Sequence, residues 1–363
     1  MTKVLIVSSE FPPQPGGIGN HAFNLAKGLQ ENGYDVKLVC DRRSKNGNEE
    51  FLFDADLDFQ VVRINREQFI LKSYIKRIKV AFSLAKNSEI IICSGKFSLW
   101  LGAFLSVLQT KKNIAIIHGS EVLLSNYFLR KLTDFSLKRF KVIIAVSNYT
   151  KSLISKLSTE KVVVIPNGFN VEVEIKKPVK NKPLPILITV GNLTQRKGQH
   201  NIINALPTLL KKYPDLKYYI VGIPTEKPRL EKLALHLKVE SAVVFFGKVS
   251  EQEKIALLQQ SDVFVMLSET TNRGDVEGFG IAILEANAVG VPAIGALHCG
   301  IEDAINDGVS GKLINLNTPI ELLESLDEIL GNYEMYSKAA EVWSRNFTWE
   351  KILDKYLEVL RKI

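Results

Sequence analysis

Residues 3–40 read KVLIVSSEFPPQPGGIGNHAFNLAKGLQENGYDVKLVC, and this stretch decides the fold class. It opens with an apolar run, which a loop rich in proline and glycine follows. The segment after the loop places apolar side chains on one face of a helix, at Ala22, Leu25, Ala26 and Leu29. A second apolar run, DVKLVC, comes next. A strand, a helix and a strand in this order predict a βαβ unit, from which parallel sheets are built.

The same alternation continues along the chain in two series. Further apolar runs lie at residues 89–94, 113–119, 142–147 and 161–168 in the first series, and at 186–192, 217–222, 243–249, 263–267 and 291–296 in the second. Runs that are apolar on both faces indicate strands of a parallel sheet covered by helices. Between the two series, residues 171–185 (VEVEIKKPVKNKPLP) have the composition of a linker.

We therefore predict an α/β protein with two doubly wound, Rossmann-like domains, residues 1–175 and 176–346. Ligands are expected where the carboxyl ends of the two sheets face each other. The tail, residues 347–363, is one more amphipathic helix.

The net charge of +8 resides in the first half of the chain, because residues 1–175 hold 24 basic and 16 acidic residues. Part of the excess lies in a helical pattern that interleaves basic with apolar residues, namely Lys72, Lys76, Arg77 and Lys79 with Phe69, Ile70, Ile75, Ile78 and Phe82. Such a helix can lie on an anionic membrane surface, and it can equally be a solvated outer face. No helix-turn-helix, zinc-finger or RNP-like signature accompanies the charge, which argues against nucleic acid as a partner.

The cysteines and the apolar runs indicate the compartment. Cys40, Cys93 and Cys299 lie far apart and form neither a CxxC motif nor a zinc-ligand spacing, which fits a reducing cytosol. The first apolar run is too short for a signal peptide, and no stretch reaches the roughly 18 apolar residues of a membrane span. We expect a cytoplasmic protein whose membrane contact, if it has one, is peripheral and on the cytosolic face.

The loop SSEFPPQPGGIGN contains Gly16, Gly17 and Gly19. Its G-G-x-G spacing and its prolines argue against a dinucleotide fingerprint, in which G-x-G-x-x-G follows the strand directly. Without side chains, Gly16 and Gly17 would let main-chain N–H groups approach a phosphate or a substrate oxygen at a helix N-terminus. The alternative is that these glycines only turn the chain.

The loop GNLTQRKGQ, residues 191–199, has the same strand–loop–helix setting in the second domain. Its Arg196 and Lys197 could neutralise a diphosphate leaving group as negative charge develops on it. His118 lies at the end of the run NIAIIHG in the first domain, a position suited to substrate contact. The alternatives are two solvated cations and a histidine that closes a local hydrogen bond.

The segment VEGFGIAILEANAVG combines two acidic residues with a pair of glycines. Glu277 is expected in a loop, where it could hold sugar hydroxyls or stabilise positive charge near a reacting carbon. Glu285 is expected about one turn inside the next helix, where it could accept hydrogen bonds from a ribose. Gly278 and Gly280, on either side of Phe279, free the main chain to approach a ligand. Alternatively, one glutamate caps the helix and the other is exposed.

Taken together, these segments resemble the retaining glycosyltransferases of family four, which have the GT-B architecture of two facing Rossmann-like domains. The resemblance rests on PGGIGNH, HGSE, GNLTQRKGQ, FFGKVS and the two glutamates separated by seven residues, which occur in the family's order over nearly the whole chain. It implies that the tail helix crosses back onto the first domain. It also implies transfer of a sugar from a nucleotide diphosphate sugar to an acceptor hydroxyl, without a metal or another cofactor.

The resemblance also implies a role for each matching residue. It puts the donor diphosphate and sugar near Gly16 and Gly17, the sugar hydroxyls near His118, the diphosphate near Lys197, the donor sugar near Glu277 and the ribose near Glu285. One position departs from the family pattern, because Asn192 stands where the family usually has an arginine that partners Lys197. Arg196 could compensate for it.

We expect the donor, GDP-mannose or a UDP-sugar, on the second domain and the acceptor on the first. The positive charge of the first domain suits an acceptor in lipid-linked glycan, polysaccharide or glycolipid synthesis at an anionic membrane surface. Two other classes remain open. A nucleotide-sugar epimerase of the same architecture would act on the donor alone, and a non-catalytic sensor would bind the donor without releasing nucleoside diphosphate.

Overall fold

The computed structural model describes residues 1–44, 46–66, 70–108, 111–157, 161–170, 185–316 and 318–363 of the chain. The predicted linker, residues 171–185, falls outside the described residues except for Pro185, and Phe69 of the basic helical pattern falls outside them as well. Among the residues that are described, no helix is both long and apolar enough to cross a bilayer.

The chain divides into two compact units. The N-terminal unit comprises Met1–Gly168 and Trp349–Ile363, and the C-terminal unit comprises Phe169–Thr348. The crossing between the units lies a few residues before the expected boundary at residue 175.

The N-terminal unit is built from strands that alternate with helices. Its strands are β1 (Lys3–Ser8), β2 (Asp35–Asp41), β3 (Gln60–Ile64), β4 (Ile90–Ser94), β5 (Lys112–Ile117), β6 (Val142–Ala145) and β7 (Val162–Val164). Its helices are α1 (Gly17–Glu31), α2 (Asn48–Ala55), α3 (Ile70–Lys86), α4 (Lys96–Leu108), α5 (Tyr127–Leu137), α6 (Asn148–Ser152) and, from the end of the chain, α13 (Trp349–Lys362). Within the described residues the strands form one parallel sheet in the order β3-β2-β1-β4-β5-β6-β7.

The C-terminal unit repeats this alternation. Its strands are β8 (Ile186–Val190), β9 (Lys217–Val221), β10 (Val243–Gly247), β11 (Val263–Met266), β12 (Ala293–Ala296) and β13 (Gly311–Ile314). Its helices are α7 (Gln199–Lys212), α8 (Lys227–His236), α9 (Glu251–Gln260), α10 (Ile281–Ala288), α11 (Pro319–Gly331) and α12 (Tyr333–Ser344). The strands are again parallel, in the order β10-β9-β8-β11-β12-β13.

Most of the apolar runs form strands that are buried on both faces, whereas the edge strands β7 and β10 are only partly buried. β4 is buried at every position, and β1 at every position except Lys3. The sequence pattern does not predict β3 and β13, two edge strands in which Arg63 and Lys312 interrupt the apolar run. Two doubly wound parallel sheets confirm the predicted α/β class.

Each sheet has a point where the strand order reverses. The N-terminal sheet grows from β1 to β2 and β3, and the chain then crosses to β4 on the other side of β1. The C-terminal sheet does the same with β8 and β11. In open α/β sheets, ligands bind outside the carboxyl ends of the strands at such a switch point. The loops after β1 and β4, and those after β8 and β11, are therefore the favoured places for a ligand.

Helix α13 belongs to the N-terminal unit, where it packs on α1. Gly28 permits this contact, because a Cβ atom at its position would lie 2.7 Å from Leu353 Cδ2. The hydroxyl of Tyr356 lies 2.9 Å from His21 Nε2, and the ring of Trp349 lies 5.2 Å from that of His21. The tail helix thus crosses back onto the first unit, as the resemblance implied.

Gly198 allows the loops after β8 and β11 to touch. Its φ of 73° lies in the left-handed region, and a Cβ atom on it would be 1.7 Å from Leu267 O. Gly308 has a φ of 72°, but the described residues other than its chain neighbours place no atom within 4 Å of a Cβ there. A side chain would therefore be strained at both positions and would overlap a neighbour only at Gly198.

We expect Gly198→Ala to lower the free energy of unfolding by about 3 kcal/mol, because a left-handed alanine and a displaced carbonyl both destabilise the native state. Gly308→Ala is the matched control and should lose only about 1 kcal/mol, from its conformation alone. Equilibrium urea unfolding of the intact chain measures both losses. Equal losses would show that Gly198 is not needed for the close contact.

Candidate functional site

Loops from two neighbouring strands meet at the switch point of the C-terminal unit. The loop after β8 ends in one turn of 3-10 helix, and the long loop after β11 lies against it. Glu269 N donates a hydrogen bond to the carbonyl of Arg196 at 3.1 Å. The side-chain amide of Asn201 donates to Leu267 O at 3.0 Å. These bonds hold Arg196 and Lys197 beside the segment that follows β11.

The carboxylate of Glu277 lies between Arg196 and Lys197. Lys197 Nζ is 2.8 Å from Glu277 Oε2, and Arg196 Nη1 donates to the same oxygen. The side chain of Glu277 is only 11% exposed. The structure thus brings three of the predicted site residues into direct contact.

Charge pairing sets the ionisation of this cluster. Burial by itself would raise the pKa of Glu277, but Arg196 and Lys197 outweigh it and lower this pKa to about 2. The carboxylate is therefore ionised at neutral pH. Burial lowers the pKa of Lys197, and attraction to Glu277 offsets only part of that effect. With two cations around one carboxylate, the cluster attracts a further anion.

The glycines near Glu277 permit close main-chain contacts. Gly300 N donates to Glu277 O at 2.9 Å, and a Cβ atom on Gly300 would lie 2.1 Å from Gly278 O. Gly280, with a φ of 88°, immediately precedes α10. In the described structure the first turn of α10 has neither a side-chain cap nor an acidic residue, so its N–H groups present the positive end of the helix dipole.

Phe279 does not present its ring to a ligand. Its side chain is 1% exposed, and the centroid of its ring lies 5.7 Å from that of Phe347. The ring is therefore part of the core of the C-terminal unit, and the predicted substrate contact of this residue is limited to its main chain.

Glu285 lies on α10 and pairs with a lysine that the sequence analysis missed. Glu285 Oε1 is 3.1 Å from Lys254 Nζ on α9, and Lys254 also contacts Glu251 at 2.6 Å. The charge of Glu285 acts to raise the pKa of Lys197, so Glu285 belongs to the same charged region. Lys254 stands in an ordinary helical pattern, EQEKIALLQQ, and only the packing of α9 reveals its partner.

In the N-terminal unit, Gly16 and Gly17 lie at the start of α1, beyond the carboxyl end of β1. A Cβ atom on Gly16 would lie 2.0 Å from Glu10 Oε2, whereas the described residues other than its neighbours leave the space around a Cβ on Gly17 open to 4 Å. Within the described chain, the first turn of α1 also lacks a side-chain cap and an acidic residue. This helix start is suited to an anionic or oxygen-rich ligand.

His118 follows β5 and contacts the end of β4. Its Nε2 is 3.0 Å from Ser94 Oγ, and its main-chain N donates to Glu121 at 3.1 Å. Burial lowers the pKa of His118 to about 4, so the imidazole is neutral at pH 7. A neutral imidazole suits hydrogen bonding to a hydroxyl better than pairing with a phosphate. No sequence motif indicated Ser94, and the motif HGSE contains Glu121 without indicating its positioning role.

The described part of the chain contains no set of side chains that could bind a metal ion. No group of three or more His, Cys, Asp or Glu side chains there could hold an ion. The three cysteines are buried and free. The expectation that the reaction needs no metal or other cofactor stays a prediction.

Two family models match the chain. One, described as Glycosyltransferase Family 4, matches residues 15–173, and the other, described as Glycosyl transferases group 1, matches residues 170–345. A GDP-mannose-dependent monoacylated alpha-(1-6)-phosphatidylinositol monomannoside mannosyltransferase of Corynebacterium glutamicum is 27% identical, over 99% of this chain and 98% of the relative. An uncharacterized glycosyltransferase of Haemophilus influenzae is 26% identical, over 95% and 96%.

Solved structures share the fold. A glycosyltransferase of Rickettsia africae superposes with a TM-score of 0.79 at 23% identity, over 99% of this chain and 98% of that one. Anabaena HepE, in complex with UDP and glucose, superposes with a TM-score of 0.80 at 19% identity, over the full length of both chains. At these identities the likeness is evidence for the fold, and it confirms the predicted architecture of two Rossmann-like domains.

Replacing His118 should change how stability depends on pH. Between pH 6.5 and about 4, the unfolded chain binds a proton at this histidine that the native chain does not bind. The native state therefore loses stability as the pH falls through this window, by up to about 1.4 kcal/mol per pH unit. In His118→Asn the unfolding free energy should fall less steeply than in the parent.

Urea unfolding at several pH values measures these slopes. His236→Asn, which changes an exposed histidine on α8, is the control. Parallel pH profiles for the parent and His118→Asn would contradict a buried, neutral imidazole at this position.

Proposed function

Because the chain belongs to glycosyltransferase family four and has the GT-B fold, we propose that it transfers a sugar from a nucleotide diphosphate sugar to an acceptor hydroxyl with retention at the anomeric carbon. The observation that carries this proposal is the cluster of Arg196, Lys197 and Glu277 at the switch point of the C-terminal unit. The matched families are transferases, and they favour neither the epimerase nor the sensor.

The two cations suit the leaving group of this reaction. As the bond between the anomeric carbon and the donor diphosphate breaks, negative charge grows on the phosphate, and preorganised cations stabilise it. Arg196 shares the Glu277 carboxylate with Lys197. We therefore propose that Arg196 supplies the second cation, in place of the arginine that the family usually has where this chain has Asn192.

Glu277 would exchange partners when the donor binds. In the structure its carboxylate pairs with both cations, and a diphosphate would compete for them because it brings at least two negative charges. The carboxylate could then accept hydrogen bonds from the donor sugar or stabilise positive charge at the anomeric carbon. Glu285, which Lys254 holds in place, would accept hydrogen bonds from the ribose.

The reaction needs no covalent nucleophile. The oxygen of the acceptor hydroxyl attacks the anomeric carbon on the face that the diphosphate leaves. The new C–O bond forms as the bond to the phosphate oxygen breaks, and that oxygen takes the proton of the acceptor. The products are the glycosylated acceptor and a nucleoside diphosphate.

We propose GDP-mannose as the first donor to test and UDP-sugars as the next. The GDP-mannose-dependent relative from C. glutamicum aligns with 99% of this chain, and the stretch GDVEGFGIAILEA resembles the mannosyl-transferring branch. The name of that relative also specifies a phosphatidylinositol mannoside, which supports a lipid-linked acceptor here. The acceptor would bind the N-terminal unit, where neutral His118 can hydrogen-bond to hydroxyls.

Lys197→Ala and Glu277→Gln should each lower turnover about a hundredfold, because each removes a preorganised charge at the reacting centre or its leaving group. Glu277→Gln also leaves two cations without their carboxylate, so we expect it to lower stability as well. Lys212→Ala removes a half-exposed lysine of the same unit and is the matched control, with activity like the parent.

Steady-state kinetics on purified variants with parental circular dichroism measures these effects. Turnover within about threefold of the parent for both site variants would contradict the assignment of Lys197 and Glu277 to the active site.

The correct donor should raise the melting temperature, because a ligand that binds only the native state stabilises it. We expect the largest shift with GDP-mannose in a screen of GDP- and UDP-sugars. Lys197→Ala should reduce this shift, and Lys212→Ala should not.

NMR of the product formed from the best donor and a lipid-linked acceptor then gives the anomeric configuration. An inverted product would contradict retention, and an epimerised nucleotide sugar formed from the donor alone would contradict transfer.

A further inference from the structure

Helices α4 and α5 of the N-terminal unit expose much apolar surface. Of the described residues of α5, five large apolar side chains are exposed, from 39% for Leu129 to 79% for Phe128, and they are Tyr127, Phe128, Leu129, Leu132 and Phe135. The end of α4 exposes Phe104, Val107 and Leu108. The two helices pack together, and Trp100 Nε1 donates to Thr133 Oγ1 at 2.9 Å. We call these eight exposed side chains the α4–α5 face.

The outward side of α5 is apolar because of its helical spacing. At about 100° per residue, Phe128, Leu132 and Phe135 fall within an arc of about 60°. The residues that turn toward the protein are Thr133, Ser136 and Leu137. The inward side of the helix is therefore mostly polar, and its apolar stripe faces outward, where a partner can cover it.

Basic side chains border this outer stripe. Residues 127–141 contain five basic residues and one acidic residue. All five are exposed, namely Arg130, Lys131, Lys138, Arg139 and Lys141. The guanidinium of Arg139 lies 5.0 Å from the centroid of the Phe135 ring, and Lys131 Nζ lies 5.6 Å from that of Tyr127. Cations and rings thus form one mixed surface.

We propose that the α4–α5 face binds an anionic lipid surface. Its aromatic and aliphatic side chains enter the headgroup region, and its basic residues pair with lipid phosphates. This combination of an apolar stripe with flanking lysine and arginine is what interfacial helices present to a bilayer. Charge complementarity favours an anionic lipid surface over a second copy of the chain as the partner. A basic face repels its own copy and attracts anionic headgroups.

The sequence leaves α3 open between a membrane-binding helix and a solvated outer face, and its contacts favour the solvated face. Ile78 and Phe82 pack against the core of the N-terminal unit. Arg77 Nε donates to the buried carboxylate of Asp41 at 2.6 Å, so this arginine is not available to a membrane. The basic residues that α3 does expose are Lys72, Lys76, Lys79 and Lys86. Among the described side chains of α3, Ile75 is the one large apolar residue that is exposed, so these lysines border less apolar surface than the cations of α5 do. Such isolated charge is typical of a solvated helix face.

Sedimentation of the intact chain with lipid vesicles tests the proposal. We expect binding at low ionic strength to vesicles of phosphatidylcholine and phosphatidylglycerol in equal parts, and at least about tenfold weaker binding to phosphatidylcholine alone. Salt should weaken the binding. Phe128→Ser/Leu132→Ser/Phe135→Ser and Lys131→Ser/Lys138→Ser should each weaken it at least about tenfold. The assay contains no sugar donor, so its result is independent of the proposed reaction.

Two control variants distinguish binding through the α4–α5 face from nonspecific binding through the overall positive charge. Lys72→Ser/Lys76→Ser/Lys79→Ser removes three exposed lysines from α3, and Lys232→Ser/Leu235→Ser removes an exposed lysine and leucine from α8. Both should bind within about threefold of the parent. A larger loss in the α3 variant than in either α5 variant, or no binding by the parent, would overturn the proposal. Melting temperatures show whether each variant is folded.

A fluorescence probe tests insertion directly. In Phe128→Trp, emission should shift to the blue on addition of the anionic vesicles, and brominated phosphatidylcholine in those vesicles should quench it. Leu235→Trp should show neither effect, and equal responses from the two would overturn the assignment. Sedimentation velocity without lipid tests whether the α4–α5 face instead binds a second copy of the chain. A dimer in the parent that the triple serine variant abolishes would also overturn the lipid proposal.

Discussion

A parallel sheet brings the carboxyl ends of its strands to one edge, and this constraint decides where chemistry can occur in this protein. In the C-terminal unit, the reversal of strand order between β8 and β11 sets two loops side by side, and Arg196, Lys197 and Glu277 meet there. In the N-terminal unit, the same constraint puts Gly17 and His118 beyond the ends of β1 and β5. Side chains and close main-chain contacts then adapt these positions to a ligand.

Two lowered pKa values have opposite consequences for charge. Two neighbouring cations keep Glu277 ionised, and burial keeps His118 neutral. A buried ion cluster is weak evidence for stability, because desolvation offsets much of the attraction between its charges. Under the proposed function, the donor diphosphate would replace the carboxylate of Glu277 beside Arg196 and Lys197. The neutral imidazole of His118, in contrast, can donate to or accept from a hydroxyl without attracting phosphate.

The two candidate membrane helices show why charge pattern alone is a poor guide to a surface. Ile78 and Phe82 of α3 pack against the core, and Arg77 pairs with Asp41. Helix α5 has a less regular pattern, yet it exposes Phe128 and Phe135 beside several cations. Which side of a surface helix is buried depends on its packing partners, and the pattern of charged and apolar residues alone does not specify it.

The sequence by itself determined the α/β class, most of the strands and the loops that carry the candidate site, because buried strands are apolar on both faces and glycine-rich turns follow them. It did not reveal β3 and β13, in which Arg63 and Lys312 interrupt the apolar run. It identified Glu285 but not Lys254, and His118 but not Ser94. Only the tertiary structure decided these pairs, because each contact joins segments far apart in the chain. The tertiary structure also turned the ring of Phe279 into the core, since alternation along a loop does not specify which side chain the neighbouring helices cover.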